Sequence, residues 1–167
     1  MQLQQFEIMT AKLKILHSLK TIRFQDCDPF NHLNSGRYFD YFMNAREDQL
    51  IENYDLDIYQ IAKETGLSWV VASSKIAFIK PAFLMETVLI ETQMIAYSER
   101  DILVEMRMYD ETKTQLKSVL WSNFVHFNLQ SQKSDKHSEA YLKLFGEICL
   151  PLAEKTFDER HLRLMGK

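Results

Sequence analysis

The chain has 167 residues, 46% of them hydrophobic and 26% charged, with a formal charge of -3; it is long enough to bury a core without disulfide or metal staples and too apolar to be disordered. The slight negative balance gives no basic field for nucleic acid, and two distant cysteines, Cys27 and Cys149, exclude a disulfide scaffold and fit a reducing compartment. No stretch is long and apolar enough to span a bilayer, and the opening "MQLQQFEIMT" lacks the basic-then-apolar order of a leader, so a soluble cytoplasmic protein of one domain, residues 1–167, is expected.

Residues 1–12 read as a short helix or a loose arm, and "LHSLKTIRF", ending at Phe24, alternates as a first strand. From about Ser35 to Asn53, Tyr38, Tyr41, Phe42 and Ala45 recur at helical spacing, which predicts a long helix with its aromatic face in the core. "LDIYQIAKETG" predicts a shorter helix that stops at Gly66. The period then changes to two, and "SWVVASSKIAFIK", "ETVLIETQMIAY", "DILVEMRMYD" and "LKSVLWSNFVHFNL" predict strands joined by short polar links. In the third, Ile102, Val104, Met106 and Met108 share one face and Leu103, Glu105, Arg107 and Tyr109 the other, the pattern of a half-buried antiparallel strand. A polar connection, "QSQKSDKHSEA", leads to a terminal helix within about 137–150. The core is therefore expected within about 13–130. A strand, a long helix and a run of antiparallel strands make an α+β domain whose sheet must wrap or flank the helix.

The stretch richest in chemistry is "FQDCDPFNHLN", residues 24–34. Asp28 precedes Pro29, so the chain cannot enter a helix there; Asn34 or Ser35 is the natural cap, with Gly36 just inside. Such a helix start exposes unpaired N–H groups suited to a carbonyl oxygen that becomes negative during reaction. Spacing alone leaves three readings open. Asp26, Asp28, Asn31 and Asn34 are turn and capping residues; or Asp26, Asp28 and His32 ligate a divalent metal; or Cys27 and His32 form a nucleophile and base, although flanking carboxylates suppress a thiolate. His17, His126, His137 and His161 lack ligand spacing and read as structural or exposed.

"IRFQDCDPFNHLNSGRYFDYFMNARED" resembles the start of the hotdog-fold acyl-CoA thioesterases of the 4-hydroxybenzoyl-CoA thioesterase type. In that family a first strand ends in D-x-D, and after a loop comes a helix with an early Tyr and a later A-R pair, matched here by Asp26, Asp28, Tyr38, Ala45 and Arg46. "SKIAFIKPAFLMETVLIET" resembles the family's next two strands, with Pro81 at the break, so the likeness covers roughly residues 17 to 130. The family often has Gly-Asp where this chain has Met85 and Glu86. Members with a catalytic Glu on the helix find no counterpart at Met43 and Asn44, so the resemblance places catalysis on the loop aspartate, Asp28, with His32 and Asn34 orienting water or substrate.

The resemblance thus implies a hotdog fold, an antiparallel sheet wrapped around a long central helix. It implies hydrolysis of an acyl-CoA thioester to free acid and coenzyme A, with no cofactor and no obligatory metal. The alternative within the same fold is a protein that binds acyl-CoA without turning it over. Asp28 would be base or nucleophile, and the amides near Ser35 and Gly36 the oxyanion site. Coenzyme A phosphates call for cations, for which Arg37, Lys75, Lys80, Arg100 and Lys117 are candidates, while Tyr38 and Phe42 could border the acyl pocket. Family members pair their sheets as homodimers or homotetramers with the site between protomers, which would set Ser73, Ser74 and Lys75 against the partner's Asp28.

Overall fold

The computed structural model describes residues 11–166. In chain order it contains strand β1 (Ile15–Thr21), helices α1 (Tyr38–Tyr54) and α2 (Ile58–Thr65), strands β2 (Leu67–Phe78), β3 (Thr87–Tyr97), β4 (Asp101–Asp110), β5 (Leu116–Asn128) and β6 (Lys133–Ser134), and helices α3 (Glu139–Ile148) and α4 (Phe157–Leu164). The sheet order is β1-β3-β4-β5-β2, antiparallel throughout, with β6 added to β5. This is the predicted hotdog arrangement, with α1 laid across the inner face of the sheet. The first strand is shorter than its pattern suggested, because Phe24–Asp26 form a 3-10 turn. Of the predicted N-terminal arm, residues 1–10 lie outside the described residues.

Each helix boundary has a local cause. Asp57 Oδ1 accepts from the amides of Tyr59 and Gln60 at the start of α2, and Gly66, at φ 71, ends it in the left-handed conformation that glycine adopts without penalty. Ser138 caps α3 through the Tyr141 amide. The α4 helix, which the apolar pattern did not predict, starts with a reciprocal capping box between Thr156 and Glu159.

Beneath α1, Tyr38, Phe42 and Ala45 pack on Val88, Ile90, Val104, Met106 and Met108 of the inner sheet face. The same helix face also buries Arg46 and Gln49. They join a polar chain through the core: Arg46 Nη1 donates to Thr92 Oγ1 (3.0 Å), the Thr92 hydroxyl to Gln49 Oε1 (2.6 Å), and Gln49 Nε2 to Ser18 Oγ (3.0 Å) and the Ile90 carbonyl (3.1 Å). This chain ties α1 to β1 and β3 at fixed register, because a one-residue slip would strand each of these buried groups.

The outer face corrects the expectation of a half-buried β4. Residues from Leu150 onward return across the sheet, and Phe157 packs edge-on against Trp121 with ring centroids 5.8 Å apart. Under this cover Glu105, 1% exposed, accepts from Arg107 Nη1, Trp121 Nε1, Arg160 Nε and Arg160 Nη2, each at 2.8 Å. Arg107 Nη2 reaches Glu91 Oε2 (3.2 Å) and Gln93 Oε1 (3.0 Å), and Glu91 Oε1 accepts from Lys113 Nζ (2.6 Å). The charged residues that read as a solvent face form a buried, hydrogen-bonded network.

Candidate active site

The stretch from Arg23 to Arg37 folds as a double-braced loop at the N-terminal end of α1. Asp28 makes an Asx turn: its Oδ1 accepts from the amides of Phe30 (2.9 Å) and His32 (3.0 Å), while its own amide donates to the His32 carbonyl (2.8 Å). Asn31 lies at φ 62, a left-handed position that asparagine tolerates. The loop is tied to the link between β2 and β3, with the Leu33 amide donating to the Ala82 carbonyl (2.8 Å) and the Leu84 amide to the Asn31 carbonyl (2.9 Å). Its other flank is held by Tyr41, whose hydroxyl donates to Asp26 Oδ2 (2.8 Å) and accepts from the Arg23 amide (3.0 Å).

The loop, the start of α1 and the end of β2 enclose an open cleft of about 320 Å³. It brings together Asp28, His32, Asn34, Ser35, Tyr38 and Lys80 of the predicted site residues. Phe78, Ile79 and Pro81 complete its apolar wall; they were missed as site residues because nothing in a strand-end pattern marks a pocket. Asp28 Oδ2 accepts no hydrogen bond from any described residue, so the carboxylate is pinned through one oxygen and free at the other. The His32 ring stands edge-on to Phe83, centroids 5.2 Å apart. Tyr38 is buried, its hydroxyl oxygen accepts from the Ala82 amide (3.1 Å), and burial raises its pKa, so its proton stays on the oxygen at neutral pH. Lys80 is exposed and makes no ion pair with a described residue.

The two predicted oxyanion amides are not equivalent. Asn34 Oδ1 accepts from the Gly36 amide (2.9 Å), so that donor is occupied by the cap, whereas the Ser35 amide makes no hydrogen bond to a described residue. Four other predicted residues lie apart from the cleft. Arg37 Nη1 donates to Asp40 Oδ2 (3.0 Å). Ser73 follows a break in β2 register between Val71 and Ser73, Ser74 Oγ meets Ser122 Oγ at 2.8 Å, and Lys75 Nζ is bound to both Asp158 carboxylate oxygens (2.7 and 2.8 Å). Of the further cations, Lys117 is buried on Glu86 Oε1 (2.6 Å), and Arg100 Nη1 donates to the Ser134 carbonyl (3.0 Å).

The other two readings of the loop meet specific geometry. Among the described residues no group of three or more His, Cys, Asp or Glu is arranged to hold a metal ion, so Asp26, Asp28 and His32 do not form one. Burial, with Asp26 and Asp28 beside it, pushes the Cys27 thiol up, away from the thiolate a nucleophile needs.

The fold has counterparts. The family model described as the thioesterase-like superfamily matches residues 22–145. Among solved structures, a 1,4-dihydroxy-2-naphthoyl-CoA thioesterase from Synechocystis superposes with TM-score 0.73 at 14% identity, covering 82% of this chain and 99% of that one. A DHNA-CoA thioesterase from Staphylococcus aureus gives 0.72 at 16% identity over 92% and 95% of the two chains. A further Staphylococcus aureus protein, SAV2348, solved in complex with CoA, gives 0.73 at 12% identity over 87% and 92%. No curated protein sequence matches the chain. The family match spans the D-x-D loop, the central helix and every strand from β2 to β6, and on that basis the chain belongs to the thioesterase-like superfamily.

Proposed function

We propose that the chain hydrolyses an acyl-CoA thioester to a free acid and coenzyme A, with Asp28 as the reacting carboxylate. Thioester hydrolysis is the chemistry of the superfamily; the observation that carries the assignment to Asp28 is its half-pinned carboxylate, one oxygen held by two amides and the other free in the cleft that Ser35 and Tyr38 also line. As general base, Asp28 takes a proton from water as the water oxygen bonds to the thioester carbon. Collapse of the tetrahedral intermediate then breaks the C–S bond, and the leaving thiolate takes up a proton. As nucleophile, Asp28 bonds to that carbon directly, expels the thiolate and leaves an anhydride that water cleaves. In either route the Ser35 amide is the free donor for the oxyanion, the Tyr38 O–H a second, and the Gly36 amide joins only if the Asn34 side chain turns away. Lys80 is the cation placed to meet a coenzyme A phosphate.

The free edge of β2 supports a homodimer, since residues 71–75 are all exposed on an unpaired edge strand. Pairing there would carry Ser73 and Ser74 toward the partner's Asp28. Light scattering tests the assembly. The activity is tested by incubating purified protein with a panel of acyl-CoAs and a thiol reagent: stoichiometric thiol release that the Asp28→Asn variant lacks supports the proposal. Bound thioester that persists without release makes the chain a binder instead. A single turnover in ¹⁸O-water separates base from nucleophile: the base route puts the label into the released acid, whereas an anhydride opened by water at the Asp28 carbon puts it into Asp28.

A further inference from the structure

A second cavity lies at the other end of α1, away from the Asp28 cleft. It measures about 60 Å³ and is walled by Leu50, Trp69, Met94, Val104, Phe124 and Phe145, with Arg46 on its lining. Arg46 stands eight residues beyond Tyr38, about 12 Å along the helix. Phe42 and Ala45, both fully buried, lie between them in the sequence and on the same core face.

Arg46 is 5% exposed, yet among the described residues its one hydrogen-bond partner is the neutral Thr92 hydroxyl at 3.0 Å, and no carboxylate lies within ion-pair distance. Glu47, which also lines the cavity, makes no ion pair with Arg46 and accepts from the Tyr59 hydroxyl at 2.7 Å. Burial pushes the guanidinium down to about 10, which leaves it protonated at neutral pH. A buried cation without a counter-charge is costly, and the neutral Thr92 hydroxyl accepts one N–H but brings no charge to offset it. The remaining guanidinium N–H groups form a planar fork that matches a carboxylate edge. Phosphate or sulfate would bring further oxygens to walls whose other donors are already engaged, the Tyr54 hydroxyl with the Leu13 carbonyl and Trp69 Nε1 with His137 Nε2, whereas a short hydrocarbon body matches the apolar remainder.

We infer that this cavity is a binding site for a small aliphatic monocarboxylate of acetate to butyrate size, gripped by Arg46 with its alkyl end among the apolar walls. It is separate from the Asp28 cleft and does not depend on the activity proposed there.

The test follows the methyl resonances of Met43 and Met94, which both line the cavity, in methyl-labelled full-length protein titrated with sodium butyrate. The expected result is a saturable shift of these resonances, with affinity at least tenfold weaker for butanamide, the neutral analogue. Arg46→Met should abolish the response. Leu144→Phe, which fills the cavity rim and keeps the guanidinium, should do the same. Asp28→Asn should bind butyrate as the unaltered protein does, so that loss of catalysis and loss of this site are read separately. An unsaturable response, an equal response to butanamide, or shifts confined to residues of the Asp28 cleft would overturn the inference. The butyrate and butanamide comparison decides the matter even if neither cavity variant folds.

Discussion

The two ends of α1 are built in opposite ways. At its N-terminal end the chain is exposed, turns through a left-handed asparagine, and places polar side chains around an open cleft. Toward its C-terminal end the helix shares the lining of a small cavity with residues of α2 and α3, and two polar groups it carries, Arg46 and Gln49, are buried. The difference separates two uses of polarity. Polar atoms at the open end have a free valence, as with Asp28 Oδ2, while those of Gln49 and Thr92 are consumed in holding the helix against the sheet. Substitutions at the open end should therefore change rate, and those at the closed end should change stability.

The largest expected effect is that of Asp28→Asn, which should lower kcat/KM by about 10³-fold, or about 4 kcal/mol of transition-state stabilisation. Its melting temperature should stay within about 1 °C of the parent, since an amide oxygen can still accept from Phe30 and His32. Near-parental turnover would erase the contrast. Gln49→Ala tests the other end: leaving buried partners unsatisfied should cost about 2–3 kcal/mol by denaturant midpoint, with unchanged turnover per folded molecule.

A smaller effect is expected from pH. Trp69 Nε1 donates to His137 Nε2 (3.0 Å), so Nδ1 carries the ring proton and donates to the Ser98 carbonyl (3.1 Å). Burial, together with the neighbouring His126, lowers the His137 pKa from 6.5, against weaker opposing influences from Ser98 and Asp101. Unfolding then takes up a proton between the folded value and 6.5, so this contribution is full above about pH 6.5 and is lost as pH falls through the lower folded value. The fall in melting temperature from pH 7 to 5 should be shallower in His137→Gln than in the parent; equal slopes would remove His137 as the cause. The smallest effect is outside both ends, in the link between β2 and β3, where Met85 sits at φ 62, a conformation costly for a side chain. Met85→Gly should raise stability by up to about 1 kcal/mol, measured by chemical denaturation, and leave turnover unaltered.

Met85 also shows what could be read in advance. It occupies the position where the resembling family often has glycine, and it takes a left-handed backbone that glycine adopts without penalty. The strands and the two middle helices were legible because their periods change sharply at Gly66 and because each apolar stripe has a single destination. α4 was not, because "FDERHLRL" has no wide apolar face, although Thr156 and Glu159 form a capping signature that could have marked its start. Glu105 and Arg107 were misread, and Gln49 was not singled out, for one physical reason. A polar residue at a buried position looks like a solvent-facing one until its partners from distant segments are known. Within the site, the cap and the Asx turn follow from local residue types, whereas the gathering of Lys80 and Pro81 beside Asp28 depends on how β2 crosses the helix start, which no local pattern encodes.

Glu105 has one further consequence. Two of its four hydrogen bonds come from Arg160, which arrives on the last helix of the described chain. Proteolysis after Leu150 would take that arginine away, bare the indole of Trp121 and the side chain of Val119 to water, and convert a quiet surface into an adhesive one. Clipped material of this protein should therefore be sought in precipitates rather than in the soluble fraction.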